Sequence, residues 1–407
     1  MTVRSSVDSP DDPRRAESAQ RRERVRRPAD RRRHLIEVAA RRFSEGGYHA
    51  VRLDDIAEAA GVSAPALYRH FPNKYALFAE ATSTLAQRLA DAIDGIDVNT
   101  DDPPTELARL LAAIAATAVD NRRTGGLYRW ESRYLLGADR EYVRSVVINQ
   151  HRRLRCALVG VRADLDRHDA DLLTAAMTSV VASPATHRAS LPAREVASLL
   201  RDAAMSLVDL DLPRPAKSAG QPTGLAPSAR RETILSQSIN LFAANGFHDV
   251  TIEDIGQASG VGASGVYRYF PSKVAILEAT FVRAQDRTAA IIADALAASR
   301  TPREAITELV RRYVDLCCNN PQLIAVYETE VGHLGTATRT TLRHHQRLNV
   351  EEWATWVTRE RPDISATAAR FLVHAELAAI ADLVRDNAAP DADRITAVGV
   401  RILLGKN

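Results

Sequence analysis

The chain has 407 residues, 45% of them apolar, 26% charged and only 5% aromatic, and its formal net charge is +3. That length exceeds one ordinary helical domain and suits two units of about 200 residues, while abundant Ala, Leu, Arg and Asp favour helix over sheet. With no long apolar run and no apolar core in the arginine- and acid-bearing N-terminus, neither a membrane span nor a secretory leader is expected, and the location expected is the cytoplasm.

Residues 1–27 read as a disordered basic arm. Between Arg14 and Arg33 ten arginines stand against Glu17, Glu23 and Asp30, a local balance of +7 that leaves −4 for everything else. The protein is therefore not a uniformly basic coat for nucleic acid. Two readings of the arm stand: it contacts DNA beside the unit that follows, or it is a solvated tail.

Helical patterning begins near Asp30. Ile36, Ala40 and Phe43 fall at i, i+4 and i+7, Gly46-Gly47 supplies the stop, and 28–76 reads as one small helical domain. Within it, Leu53, Ile56, Val62, Leu67 and Phe71 form a seam that locks short helices together. Gly61 sits where a tight interhelical turn needs positive φ, and Ser63 stands ready to cap the next helix. Residues 77–212 continue as amphipathic helices broken near Asp101–Pro104, Gly125-Gly126, Gly137 and Pro192. In this body Tyr128, Trp130, Glu131 and Tyr134 lie on one short helix and offer the aromatic and polar groups that a drug-sized apolar ligand needs.

Residues 213–229 are rich in Pro, Gly, Ser and Ala and read as a linker. After them the pattern repeats. LDDIAEAAGVSAPALYRHFPNK from Leu53 has its counterpart IEDIGQASGVGASGVYRYFPSK from Ile252, at an offset of 199 residues that also pairs Gly47 with Gly246 and Phe71 with Phe270. Residues 230–275 are a second small helical domain and 276–407 a second body, in which Tyr313, Tyr327, His333, Trp353 and Trp356 are candidate ligand contacts. In each half the last two helices, rich in Ala, Leu and Val, are suited to close four-helix packing.

Both repeated stretches resemble the TetR-type repressor signature: a first helix ending in Phe and Gly, then DIA-like, AGV-like and Tyr-Arg-His/Tyr-Phe elements, then Lys. The resemblance implies an all-α fold of two tandem units, each a helix-turn-helix DNA-binding domain with a helical ligand-binding and dimerising body. The duplicated layout also resembles actinobacterial repressors of lipid or sterol uptake and breakdown. Matched position by position, Tyr68, His70 and Lys74, and Tyr267, Tyr269 and Lys273, fall on the family's phosphate-contacting positions. Ser63, Ala64, Pro65 and Ala66 occupy the base-facing start of one recognition helix; Gly262, Ala263, Ser264 and Gly265 occupy that of the other. Arg69 and Arg268 lie just beyond, within reach of a phosphate or a guanine edge.

The two heads differ where bases are read. Arg52 stands where the second head keeps Thr251, which exchanges a capping hydroxyl for a cationic donor. Ala66 can touch a thymine methyl but cannot hydrogen-bond, whereas Ser264 can, so the heads should prefer unlike half-sites about one helical turn apart. Retained Tyr267, Arg268, Tyr269 and Lys273 favour two active heads over one decayed into scaffold.

Cys156, Cys317 and Cys318 form no CxxC or metal pattern, and neighbouring His344 and His345 diverge around a helix. No catalytic, phosphate-loop or dinucleotide motif is present, so neither an enzyme nor a cofactor nor a metal site is expected. The partners expected are a double-stranded DNA operator and a small apolar or acyl-type effector. The halves pair either with one another or across a homodimer. An effector-independent protein that bridges distant DNA sites is the alternative function.

Overall fold

The computed structural model describes residues 28–97, 102–129, 131–187, 189–215, 227–387 and 389–406. Residues 1–27, Trp130 and most of the linker therefore lie outside it, as does the side chain of Tyr128. Among the described residues the fold is all-α, and no helix is long and apolar enough to cross a membrane.

The first half runs α1 (Pro28–Gly46), α2 (Leu53–Ala59), α3 (Ala64–Tyr68), α4 (Lys74–Asp94), α5 (Pro103–Asp120), α6 (Gly125–Arg129), α7 (Gly137–Val161), α8 (Arg167–Ala182) and α9 (Ala193–Ser206). The second follows as α10 (Arg230–Asn245), α11 (Ile252–Ala258), α12 (Ala263–Tyr267), α13 (Lys273–Ala298), α14 (Pro302–Asn319), α15 (Pro321–Thr329), α16 (Thr336–Glu360), α17 (Ala366–Arg385) and α18 (Ala392–Leu404). A 3-10 turn, Glu131–Tyr134 in one half and Val331–His333 in the other, precedes the long helix of each body.

Each head has its own core. Leu35, Phe43, Ile56, Leu67, Phe71 and Phe78 are buried in the first; Leu235, Phe242, Ile255, Val266, Phe270 and Phe281 in the second. Gly61 and Gly260 both take φ of +67°, the left-handed turn that the helix-turn-helix needs. Thr251 and Asp254 complete a capping box, Thr251 Oγ1 accepting from Asp254 N–H at 3.1 Å and the Asp254 carboxylate accepting from Thr251 N–H at 2.8 Å. At Arg52 only the second bond survives, to Asp55 at 3.0 Å. Ser63 holds the N-cap position of α3, but its hydroxyl makes no capping bond, contrary to the sequence expectation.

The bodies share a single core in which α8 packs along α17 and α9 against both α17 and α18. Ala176, Met177, Val180, Phe371, Ala375 and Ala379 are among its fully buried side chains, and such small and medium groups permit close helix approach. The polar contacts across this seam are unlike on its two sides. Ser179 Oγ donates to Asp382 at 2.7 Å, fully buried Arg394 pairs with Asp169, and the rings of His187 and His374 stack with centroids 4.0 Å apart. At the 199-residue offset Arg394 corresponds to Glu195 and Asp169 to Ala368. Pairing two first halves would set Glu195 against Asp169, and pairing two second halves would leave Arg394 buried against alanine. The contacts across the seam join one half of each kind.

Burial lowers the imidazole of His374 to about 4, from an ordinary value of 6.5. The unfolded chain takes up this proton near 6.5 and the folded chain only near 4, so the contribution is present at neutral pH and is lost as pH falls through that window. The seam should lose on the order of 2 kcal/mol from this group by about pH 5. Thermal unfolding followed from pH 7 to pH 5 should show a falling midpoint, and His374→Phe should flatten the slope.

Candidate nucleic-acid interface

Both recognition helices sit on a buried apolar residue, Leu67 or Val266, and turn their other faces outward. Ser63, Pro65, Tyr68 and Arg69 are exposed in the first head, with Ala64, Ala66 and His70 half-buried beside them; Arg52 is exposed at the start of α2. In the second, Gly262, Ser264, Tyr267, Arg268, Tyr269 and Thr251 are exposed, with Ala263 and Gly265 half-buried. Tyr68 and Tyr267, half exposed at 51% and 53%, are large rings left in solvent, which single out this surface. Pro65 lies in the first turn of α3, where no helical N–H is lost. Gly265 has a packing reason: a Cβ there would stand 3.0 Å from Val261 Cβ.

Lys74 and Lys273 are placed differently from the tyrosines. Lys74 Nζ donates to His49 O at 3.0 Å and lies over the Tyr48 ring. Lys273 Nζ donates to Phe247 O and Val250 O, both at 2.6 Å, over the Phe247 ring. Burial lowers both ammonium groups. Each lysine clamps the turn between the first two helices of its head.

A second clamp escaped sequence reading. Arg32 donates to His70 O at 2.7 Å, pairs with Glu80 and lies 4.3 Å from the centre of the Phe71 ring. Arg231, its counterpart at the 199-residue offset, lies 4.8 Å over Phe270. In the sequence Arg32 reads only as one charge of the basic stretch; its alignment with Arg231 at the repeat offset is the available signal.

The clamped turns meet beneath the heads. His49 and His248, also 199 residues apart, approach with ring centroids 4.5 Å apart, and Tyr134 and His333 close over them at 4.5 and 4.6 Å. Glu131 accepts from Tyr48 N–H at 2.6 Å. Glu330, with no exposed side-chain surface, is reached by Arg133 from the other half at 3.0 Å and by His333 at 3.2 Å. Burial acts to raise the Glu330 carboxyl, but His333 and Arg133 outweigh it and hold it below the ordinary range. Among the described residues no such cation is in hydrogen-bond contact with Glu131, and burial pushes it up. His248 is driven down to about 4 by burial and then by the like charges of His333, His49 and Lys273.

Beside this junction a cavity of about 800 Å3 opens in the second body. Glu131, Tyr134, Tyr313, Tyr327 and His333 all line it, so five of the residues singled out as ligand contacts come together. Trp353 does not: it is 3% exposed and packs in the core, edge-on to Tyr313 at 6.1 Å. His374, which lines the same wall, could be found from sequence only as a polar residue on an otherwise apolar segment.

The family model for bacterial regulatory proteins of the tetR family matches residues 35–81 and again 234–280. The chain carries two TetR-family DNA-binding domains in tandem. Among curated proteins, the chain is 36% identical over 92 residues to the HTH-type transcriptional activator FasR of Mycolicibacterium smegmatis, covering 22% of this chain and 41% of that protein. It is 30% identical over 106 residues to the HTH-type transcriptional regulator RutR of Escherichia coli K12, covering 26% and 50%. Over 130 residues it is 26% identical to the HTH-type transcriptional repressor KstR2 of Rhodococcus jostii RHA1, covering 32% and 63%. The match thus spans about half the length of these relatives. Solved structures similar to it include a TetR-family regulator from Bordetella parapertussis 12822, with a TM-score of 0.41 at 20% identity over 44% of this chain and 96% of that one. The ketosteroid regulator KstR2 of Mycobacterium tuberculosis gives 0.40 at 19% identity, over 46% and 97%.

Arg133→Met should leave the Glu330 carboxylate buried without its cross-half cation, at a cost of about 3 kcal/mol. The double variant Arg133→Met/Glu330→Gln should recover most of that loss. Urea unfolding of the four proteins in a mutant cycle measures the coupling directly.

Proposed function

We propose that this chain is a ligand-responsive transcriptional repressor that places its two unlike heads on one asymmetric operator. One observation carries the reading: two exposed recognition helices with different base-facing residues are tied into one body by a seam that favours unlike halves. The reading domains are 28–76 and 230–275, their bodies 77–212 and 276–407, and the two halves of one chain stand in for the two chains of an ordinary dimer.

In this reading Tyr68, His70, Tyr267 and Tyr269 donate to phosphate oxygens and fix register, and Arg69 and Arg268 add charge. Ser264 hydrogen-bonds a base edge where Ala66 makes only an apolar contact. Lys74 and Lys273 act through the turns they hold. An apolar or acyl-type effector, of lipid or sterol origin in the manner of the resemblance, fits the aromatic cavity and binds best to a conformation whose heads are misspaced, which releases DNA. The protein is a binder and not an enzyme, and it works on the nucleoid. One relative is named a repressor and another an activator; release by an effector is the behaviour of a repressor.

Selection of duplex sites from random sequence should return two dissimilar half-sites in fixed spacing. Ser264→Ala should relax preference in one half-site alone, and Ala66→Ser should change the other. Arg69→Ala and Arg268→Ala should each make the salt dependence of log affinity shallower by about 0.9, whereas Tyr267→Phe should weaken binding without changing that slope. Selection that yields no specific site, or a palindrome indifferent to Ser264, contradicts the proposal.

A further inference from the structure

His49 and His248 hold the same place in the two heads, 199 residues apart, and their ring centroids lie 4.5 Å from each other. Where two repeat-related halves pair, a residue meets its own counterpart only close to the axis that relates them. The heads therefore touch at that axis, through the turn between α1 and α2 in one and between α10 and α11 in the other. This contact is separate from the seam between the bodies and joins the heads themselves.

Two imidazoles at such an axis are bases of the same kind, so neither can neutralise a proton taken up by the other. Around His49 stand Lys74 of α4, Arg133 and Tyr134 of the first 3-10 turn, Asp249 of the facing head and His333 of the second 3-10 turn. Around His248 stand His333, His49, Lys273 of α13 and Glu330. The carboxylates of this set are already engaged or face solvent: Glu330 by Arg133 and His333, Glu131 by the Tyr48 amide, while Asp249 is exposed. His49 Nε2 is buried and has no hydrogen-bond partner among the described residues, so a proton placed there meets no acceptor.

We propose that the contact of His49 with His248 is a proton-sensitive lock between the two heads: with both rings neutral it fixes the distance between them, and acid parts them. The direction follows from the surroundings. Burial lowers both imidazoles, His248 to about 4, whereas rings parted into water take up protons near the ordinary 6.5. The closed contact is thus fully favoured above that ordinary value and is lost as pH falls below it. His248 alone would shift the balance toward parted heads by up to about tenfold between pH 7.5 and 5.5. Its exposure lets solvent screen part of that shift, and His49 adds to it. The consequence for DNA rests on the operator-binding reading given above, because the distance between heads decides which half-sites they reach together.

The test is the head-to-head distance in the full chain, by pulsed electron paramagnetic resonance between spin labels at Glu58→Cys and Gln257→Cys, which are exposed and repeat-related. Cys156→Ser and Cys318→Ala remove the accessible native thiols. One narrow distribution at pH 7.5 should broaden to longer distances at pH 5.5. His49→Phe/His248→Phe, which keeps two rings without a proton site, should hold the narrow distribution at both values. His248→Arg should lengthen the distance already at pH 7.5. His374→Phe, which removes the buried imidazole of the seam, should respond to pH as the parent does. A distribution unchanged at pH 5.5, a Phe pair that parts like the parent, an indifferent His248→Arg, or a response abolished by His374→Phe overturns the proposal. On duplexes obtained by selection, two base pairs added between half-sites should weaken binding at least about tenfold at pH 7.5 and much less at pH 5.5; equal discrimination at both values overturns the proposal as well. Heads that stay together in acid while a specific duplex is bound sink this inference alone. Heads that part when no specific duplex can be selected leave it standing and sink the regulatory reading.

Discussion

Arg394 has no exposed surface, and Asp169, the carboxylate it pairs with, stands in the other half of the chain. A buried guanidinium is tolerable only with such a partner, because removing it from water costs several kcal/mol. The constraint reaches well beyond the pair. It fixes α18 against α8, so that the apolar faces of α8, α9, α17 and α18 cover one another. It also makes the two sides of the seam non-interchangeable, since Glu195 and Ala368 stand at the repeat-related positions. An ordinary symmetric interface meets itself; this one is complementary but not self-complementary.

From that asymmetry the rest follows in order. Once unlike halves pair, unlike heads are presented side by side, and their first turns meet at His49 and His248. The junction there has one arginine for two glutamates. Arg133 serves Glu330, while Glu131 is left to the Tyr48 amide. At the position repeat-related to Arg133 stands Gly332, where a Cβ would come within 3.6 Å of Gly46 O. The first half therefore supplies a charge at this position that the second does not.

The heads were legible in the sequence because everything that builds them is local. The seam from Leu53 to Phe71, the positive φ at Gly61 and Gly260, and the lost hydroxyl at Arg52 all act within about 20 residues and repeat at a fixed offset. The tandem all-α layout was readable for the same reason. The misplaced details depend on orientation. Ser63 occupies the cap position without capping, and Trp353 turns inward to Tyr313. Lys74 and Lys273 spend their charge on carbonyls of the preceding turn. The contacts that join the halves were hidden by distance along the chain. Ser179 and Asp382 are 203 residues apart, Asp169 and Arg394 225, and neither pair has a repeat-related twin to betray it.

The central claim is that duplication placed a complete two-headed reader in one polypeptide. Multi-angle light scattering of the purified complex, on an operator fragment obtained by selection, tests it most directly. One chain per duplex on a site with dissimilar halves is the expected result. Two chains per duplex on a palindrome would contradict it, showing that one kind of head reads and the other has become scaffold.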